Sequence, residues 1–307
     1  MTSTGPGVAS RHGLGAVLVL GAASLWATFG LFAKYLYTRG YTPLELASVR
    51  AAVGFLGAAL VLAPRPSRLR IDRRGLVFFA LYGVLGFAFF ETVFFAALER
   101  TTIAIAAALL YTAPAFVMLA SRVLWHEPIP RWKLLALGLV LAGVLLVTGA
   151  LSALRAGAAP LGTGALLLGL GAGVGYALYT LFSKVAMRRY PASAALFWSF
   201  LFAALALALL APPLAPLFRH RSDLPVLLAL GVVPTLIPYA LYLGALRHLR
   251  ASTAAMLASL EPVIAALLAA LVLHEPLDAP RVLGIALIVS AAVLIAREAT
   301  RSSPPEP

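Results

Sequence analysis

The chain has 307 residues, of which 62% are hydrophobic and only 11% charged, at a mean hydropathy of +0.97. An ordinary water-soluble domain carries about 25% charged residues, so this composition excludes a water-coated globule and makes lipid the solvent for most of the surface. The absence of cysteine excludes disulfides, thiol nucleophiles and thiolate metal sites, and the net charge of +13 sits in short connectors, where it orients a membrane protein and does not signal nucleic acid.

A span needs ~20 apolar residues. Ten such stretches follow in chain order: 13–37, 43–63, 75–98, 102–124, 131–150, 161–187, 191–211, 224–246, 251–273 and 280–297. No room is left for a soluble domain. Arg11 and His12 precede an apolar run as in a secretory signal. The region after Ser24 recurs later as part of a full span, so residues 13–37 are read as a span. Prolines punctuate most connectors, among them Pro43, Pro64, Pro128, Pro160, Pro191 and Pro276. Three lie inside spans, Pro114, Pro234 and Pro262, and are read as kinks. Arginine is concentrated in alternate connectors, most densely at Arg65, Arg68, Arg70, Arg73 and Arg74. That bias places both termini in the cytoplasm, which requires an even number of spans.

The two halves match. His126-Glu127-Pro128 recurs as His274-Glu275-Pro276, Pro114 as Pro262 and Ala97-Leu98 as Ala245-Leu246, each at an offset of 148 residues. Leu31-Phe32-Ala33-Lys34 recurs as Leu181-Phe182-Ser183-Lys184 at 150. Ordered matches at a nearly constant offset indicate duplication. Five spans per half is an odd number, so the halves must be inverted relative to one another, a signature of alternating-access transporters with a midplane site between the repeats. The expected fold is all-α and integral to the membrane: ten transmembrane helices as two inverted five-helix repeats, 13–150 and 161–297. A linker spans 151–160, and cytoplasmic tails span 1–12 and 298–307.

The residues resemble the EamA type of the drug/metabolite transporter superfamily in its ten-helix form. In the first half the resemblance rests on Leu25-Trp26, Lys34, Pro43, Arg50, Pro114, Glu127, Gly138 and Gly143. In the second it rests on Ala251-Ser252-Thr253-Ala254, Leu260-Glu261-Pro262-Val263 and His274-Glu275. Glu91 departs from the family pattern, where an uncharged residue is usual, and Ala291 stands where the repeat of Gly143 predicts glycine. The resemblance implies export or exchange of small metabolites, often amino acids, across the inner membrane.

Gly169, Gly171, Gly173 and Gly175 alternate in the sixth span, which suits close helix packing and lacks a dinucleotide-loop spacing. The His-Glu-Pro pair lacks metal-site spacing and is read as a helix stop, with Glu127 and Glu275 set to cap neighbouring helix N-termini. Trp26 and Phe29 match Tyr176 and Tyr179 at offset 150, each pair on one helix face. They either pack or line a cavity that stacks on an organic substrate. Candidate substrate-binding residues are Trp26, Glu91, Tyr111, Tyr176, Tyr179, Tyr239, Tyr242 and Glu261. The cavity is expected between the first, third, fourth, sixth, eighth and ninth spans.

Charges inside the bilayer carry the strongest functional signal. Arg50 lies ~10 Å into the second span, and Lys34 and Glu91 share its outer half, so the three are candidates for intramembrane pairing. Glu91 has two open roles: a permanent ion pair with Lys34 or Arg50, or a cavity carboxylate that binds an ammonium or a proton. Lys184 is close enough to the cytoplasm to snorkel. Pro114 and Pro262 are candidate gating kinks. The expected function is secondary active export of small amphipathic metabolites such as amino acids, without cofactor, metal or catalytic residues. Its partners are a small-molecule substrate and the lipid bilayer, with protons as candidate coupling ion and a monomer or homodimer as assembly. Multidrug or organic-cation export, solute import by the same fold, an intramembrane enzyme and a non-transporting scaffold are the alternatives.

Overall fold

The computed structural model describes residues 6–157 and 162–301, so the two tails and the linker fall partly outside the described residues. Nine described helices are long and apolar enough to cross a membrane: His12–Thr38, Pro43–Leu62, Arg73–Leu98, Ile103–Trp125, Thr163–Arg189, Ala192–Leu210, Arg221–Ala245, Ala251–Leu273 and Ala279–Arg297. The fifth span is Arg131–Val147, 17 residues long, at the short end of what crosses a bilayer. It stops before the expected residue 150, because Gly149 turns to φ 76 and starts a separate helix, Ala150–Arg155. Large apolar side chains such as Leu60, Val123, Leu209 and Leu271 point outward, as a lipid-facing surface requires.

Local chemistry sets the ends. Thr42 and Glu45 form a reciprocal capping box ahead of Pro43. Asp72 accepts from the Gly75 amide at the start of the third span, and that amide with the Tyr190 hydroxyl holds its carboxyl below the usual range. Both His-Glu-Pro segments stop helices. His126 and His274 adopt left-handed backbone at φ 53 and 56, and the next amides, Glu127 and Glu275, reach back to the Ser121 and Ala269 carbonyls at 3.3 Å each.

Both proline kinks are full interruptions. The fourth span breaks between Ile103–Leu110 and Ala113–Trp125, the ninth between Ala251–Ala258 and Glu261–Leu273. Proline has no amide and clashes with the carbonyl four residues back. The Thr112 hydroxyl caps the Leu109 carbonyl at 2.6 Å. A further matched irregularity is a π-helical turn in the third and eighth spans, Tyr82–Ala88 and Val232–Leu236. Proline at 234 explains only the second of these. The first span is also interrupted, at Thr28, whereas its relative, the sixth, runs unbroken from Thr163 to Arg189.

Small residues let the helices meet. A Cβ on Gly173 would lie 2.7 Å from the Thr112 hydroxyl and 3.1 Å from the Leu109 carbonyl, so glycine brings the sixth span onto the break in the fourth. Gly169 and Gly175 are as tightly placed against Leu109 and Phe90, while Gly171 has room. Gly143 and Gly284 pack backbone to backbone between the fifth and tenth spans, each with the other's carbonyl within 2.8 Å of its would-be Cβ. Their repeat relatives are Ala291 and Ala136, both fully buried. The small residue missing at 291 is thus supplied at 284, on the opposing position of the same contact.

Substituting Gly143→Val or Gly284→Val is expected to destabilise the protein by about 1–3 kcal/mol through forced separation of the two spans. Gly138→Ala, which meets open space inside the helix, should raise stability by about 0.5–1 kcal/mol. Thermal unfolding in detergent distinguishes the three.

Candidate functional site

A cavity of about 630 Å³ opens on the face where the first span ends and the tenth begins. It runs from Trp26, Tyr176, Tyr239 and Glu261 near mid-span to Lys34, Leu98, Ile103 and Glu275 at its mouth. Seven spans line it: the six expected, and also the second, through Arg50. The interrupted helices shape it. Tyr111 sits at the break of the fourth span, and Glu261 begins the helix after the break of the ninth. The Tyr111 hydroxyl interacts with the Glu261 carboxylate across the cavity floor.

Arg50 is the centre of the polar cluster. Its Nη2 lies 3.3 Å from Glu91 Oε1 and donates to Tyr239 Oη at 3.4 Å, and its guanidinium lies 5.0 Å over the Phe29 ring. Glu91 and Tyr239 are repeat relatives, each placed just beyond its π-helical turn. The same position in the two halves therefore meets the same guanidinium nitrogen. Both carboxylates belong to the cavity wall: Glu91 is buried behind Arg50, and Glu261 is half-buried with its exposure in the cavity.

Aromatic rings form the floor. Trp26 packs against Tyr176, Tyr239 and Tyr242 at centroid distances of 6.4, 5.4 and 5.4 Å. Tyr179 stacks between Tyr176 and Tyr242 at 6.0 and 5.7 Å. Beneath them the hydroxyls of Tyr82 and Ser183 are 2.6 Å apart and those of Tyr242 and Thr180 3.2 Å apart. Among the described residues the Trp26 indole N–H and the Tyr176 hydroxyl are buried without a hydrogen-bond partner, and both residues line the cavity.

Of the sequence candidates, Trp26, Glu91, Tyr111, Tyr176, Tyr239 and Glu261 line the cavity together. Tyr179 and Tyr242 do not: they are fully buried in the ring stack below the floor, one helical turn further toward the closed face. Lys34 does not join Arg50 and Glu91. It pairs with Glu275 at the mouth, 3.5 Å away and largely exposed, because the interruption at Thr28 redirects the outer part of the first span. Lys184 is half-buried, and its ammonium donates to the Leu246 and Leu249 carbonyls at 2.9 and 2.8 Å. Lys133, near the start of the fifth span, is fully buried, 3.6 Å from Glu127 and donating to Ser252 at 3.0 Å. Glu127 accepts from Ser252 at 2.6 Å beside the start of the ninth span, close to its expected capping place; Glu275 instead faces Lys34.

Phe29, paired with Trp26 on one helix face in the sequence, lines the wall, whereas sequence reasoning missed Tyr37 there. It also missed Asp223, buried on the cavity-mouth side among Arg39, Tyr35 and Tyr41.

The EamA-like transporter family matches the chain twice, over residues 13–149 and 163–297. The chain belongs to this family. It is 29% identical over 289 residues to an uncharacterized transporter of Archaeoglobus fulgidus, covering 94% of this chain and 97% of the relative. It is 32% identical to the uncharacterized transporter YwfM of Bacillus subtilis, covering 91% and 92%. The threonine/homoserine exporter RhtA of Salmonella typhimurium is 28% identical, with 90% of this chain and 89% of RhtA covered. A crystal structure aligned over 93% of this chain and 98% of its own, with TM-score 0.76 and 22% identity, shares the fold. An EamA transporter of the drug/metabolite superfamily thus carries, in this chain, a buried Arg50–Glu91 pair at the head of its cavity.

Glu91→Gln alone strands the Arg50 charge and is expected to lower stability by about 2–4 kcal/mol, somewhat below the cost in a dry interior because the cavity admits water. Arg50→Met with Glu91→Gln should recover most of that loss. Chemical unfolding of the single and double variants reads the coupling.

Proposed function

We propose that this chain is a secondary transporter that exports small amphipathic metabolites, amino acids or close relatives, by alternating access. It acts in the plasma (inner) membrane with both termini cytoplasmic. The observation that carries this reading is a one-sided cavity between inverted repeats, with both charge signs at its blind end and aromatic rings on its walls. A zwitterion fits that chemistry. Its carboxylate engages Arg50 and the Trp26 and Tyr176 donors, its ammonium engages Glu261, and its side chain lies against Phe90, Phe94 and Tyr111. With the cavity empty, Glu261 is the carboxylate placed to take a proton, which makes protons the candidate coupling ion. The similarity to a threonine/homoserine exporter over nine-tenths of the chain supports the same substrate class.

A second reading, export of organic cations, draws on the cluster Arg50, Glu91 and Glu261, whose carboxylates outnumber its guanidinium. The two readings separate on the carboxylate of the substrate.

Purified protein in proteoliposomes should exchange small zwitterionic amino acids. Their methyl esters, which keep the ammonium and lose the carboxylate, should be transported far more slowly. Glu261→Gln, which keeps shape and removes charge, should lower kcat/KM by roughly 10–100-fold, the loss expected when a charged hydrogen bond of ~1.5–3 kcal/mol is removed. Faster flux of esters or of cationic drugs overturns the amino-acid reading, and no flux of any solute overturns transport.

A further inference from the structure

The two lysines related by the duplication are in opposite settings. Lys184 ties the sixth span to the end of the eighth on the closed face, donating to the carbonyls of Leu246 and Leu249. A lysine on the carbonyls past a helix C-terminus makes charge-assisted hydrogen bonds and meets the negative end of the helix dipole. On the open face Lys34 occupies the related position, and the related carbonyls are those of Leu98 and Thr101. Lys34 and Leu98 both line the cavity, yet Lys34 pairs with Glu275. The Thr101 hydroxyl is buried without a hydrogen-bond partner among the described residues.

The glutamates are in opposite settings too. Glu127, the relative of Glu275, is held by Ser252 and Lys133 at 2.6 and 3.6 Å. The position related to Lys133 is Arg281, whose guanidinium donates to the Pro276 carbonyl at 3.2 Å, in the same turn as Glu275. Each face therefore carries a lysine, two helix-end carbonyls, a glutamate in a left-handed His-Glu-Pro turn and a second cation beside it. The first span, which carries the disengaged lysine, is interrupted, whereas the sixth, which carries the engaged one, is continuous.

We propose that Lys34 and Lys184 are alternating latches that decide which end of the cavity is open, and that Glu275 and Glu127 hold the disengaged lysine away from its carbonyls. In the opposite state Lys34 closes onto the Leu98 and Thr101 carbonyls and Glu275 turns to Arg281. Lys184 then leaves Leu246 and Leu249 for Glu127. The same kinds of bond are broken on one face and formed on the other, so the two states stay close in free energy, as a cycling transporter needs. The latch rests on the alternating-access part of the proposed function and not on the substrate.

The chain holds no cysteine, so single reporters can be introduced. Ala269 lines the open cavity, and Ser121, its repeat relative, is fully buried on the closed face. Ala269→Cys and Ser121→Cys report the two ends through their labelling by a membrane-impermeant maleimide in vesicles of each orientation. Lys184→Met should raise labelling at 121 and lower it at 269, each by roughly tenfold. Glu275→Gln should do the same by freeing Lys34 to close the outer end, and its effect should vanish in the Lys34→Met background. Unmoved reporters in Glu275→Gln, or an effect of Glu275→Gln that persists without Lys34, overturn the latch. Glu275→Gln alters a half-exposed pair, so it decides the matter even where Lys184→Met does not fold. Loss of amino-acid flux with these shifts intact overturns the substrate reading and leaves the latch standing.

Discussion

The burial of Arg50 is the constraint around which the site is organised. A guanidinium does not give up its proton, so a buried one must be compensated by what surrounds it. The second span supplies the charge, and the first, third and eighth supply Phe29, Glu91 and Tyr239. Four spans from both halves are thereby held to one atom group at the repeat interface. Glu91 is the acid that makes this possible. Its two candidate roles turn out to share one place, since the carboxylate paired with Arg50 also belongs to the cavity wall.

That arrangement needs helices that are not straight. The π-helical turns precede Glu91 and Tyr239, and the proline breaks present Tyr111 and Glu261 at the cavity floor. Irregular backbone at this depth is tolerated where it is covered by protein or lines a cavity, and both conditions hold here. Gly173 seals one break by bringing the sixth span against it, and the Thr112 hydroxyl donates to the Leu109 carbonyl at the same break. The irregularities that build the site are thus the ones that packing and local side chains can afford.

The duplicated halves are alike in local chemistry and unlike in setting. Both His-Glu-Pro turns have the same left-handed histidine and the same back-bond, so their conformation is local. What surrounds them differs: Glu127 is buried between Ser252 and Lys133, and Glu275 is open at the cavity mouth. On the closed face the stack of Tyr82, Tyr179 and Tyr242 fills the space that the cavity occupies on the other. The two halves, alike in sequence, thus sit at one open and one closed face.

The span positions, their number, the duplication with its inversion, and the proline breaks were all legible in the residues. Each rests on a short-range rule: runs of apolar residues, parity of spans, or the missing amide of proline. The pairing of the buried charges was not. Lys34, Arg50 and Glu91 share a depth, and sequence offers no reason to prefer one cation for the acid. Lys34 lies beyond the interruption at Thr28 and faces Glu275, and Glu91 lies beyond the π-helical turn and faces Arg50. Tyr176 and Tyr179 likewise share a helix face, yet only Tyr176 reaches the cavity, since a floor one helical turn thick separates them. Depth and helix face follow from local periodicity. Partnership depends on how broken helices cross one another, and that is set by contacts between different spans, the farthest around Arg50 being Tyr239 at 189 residues.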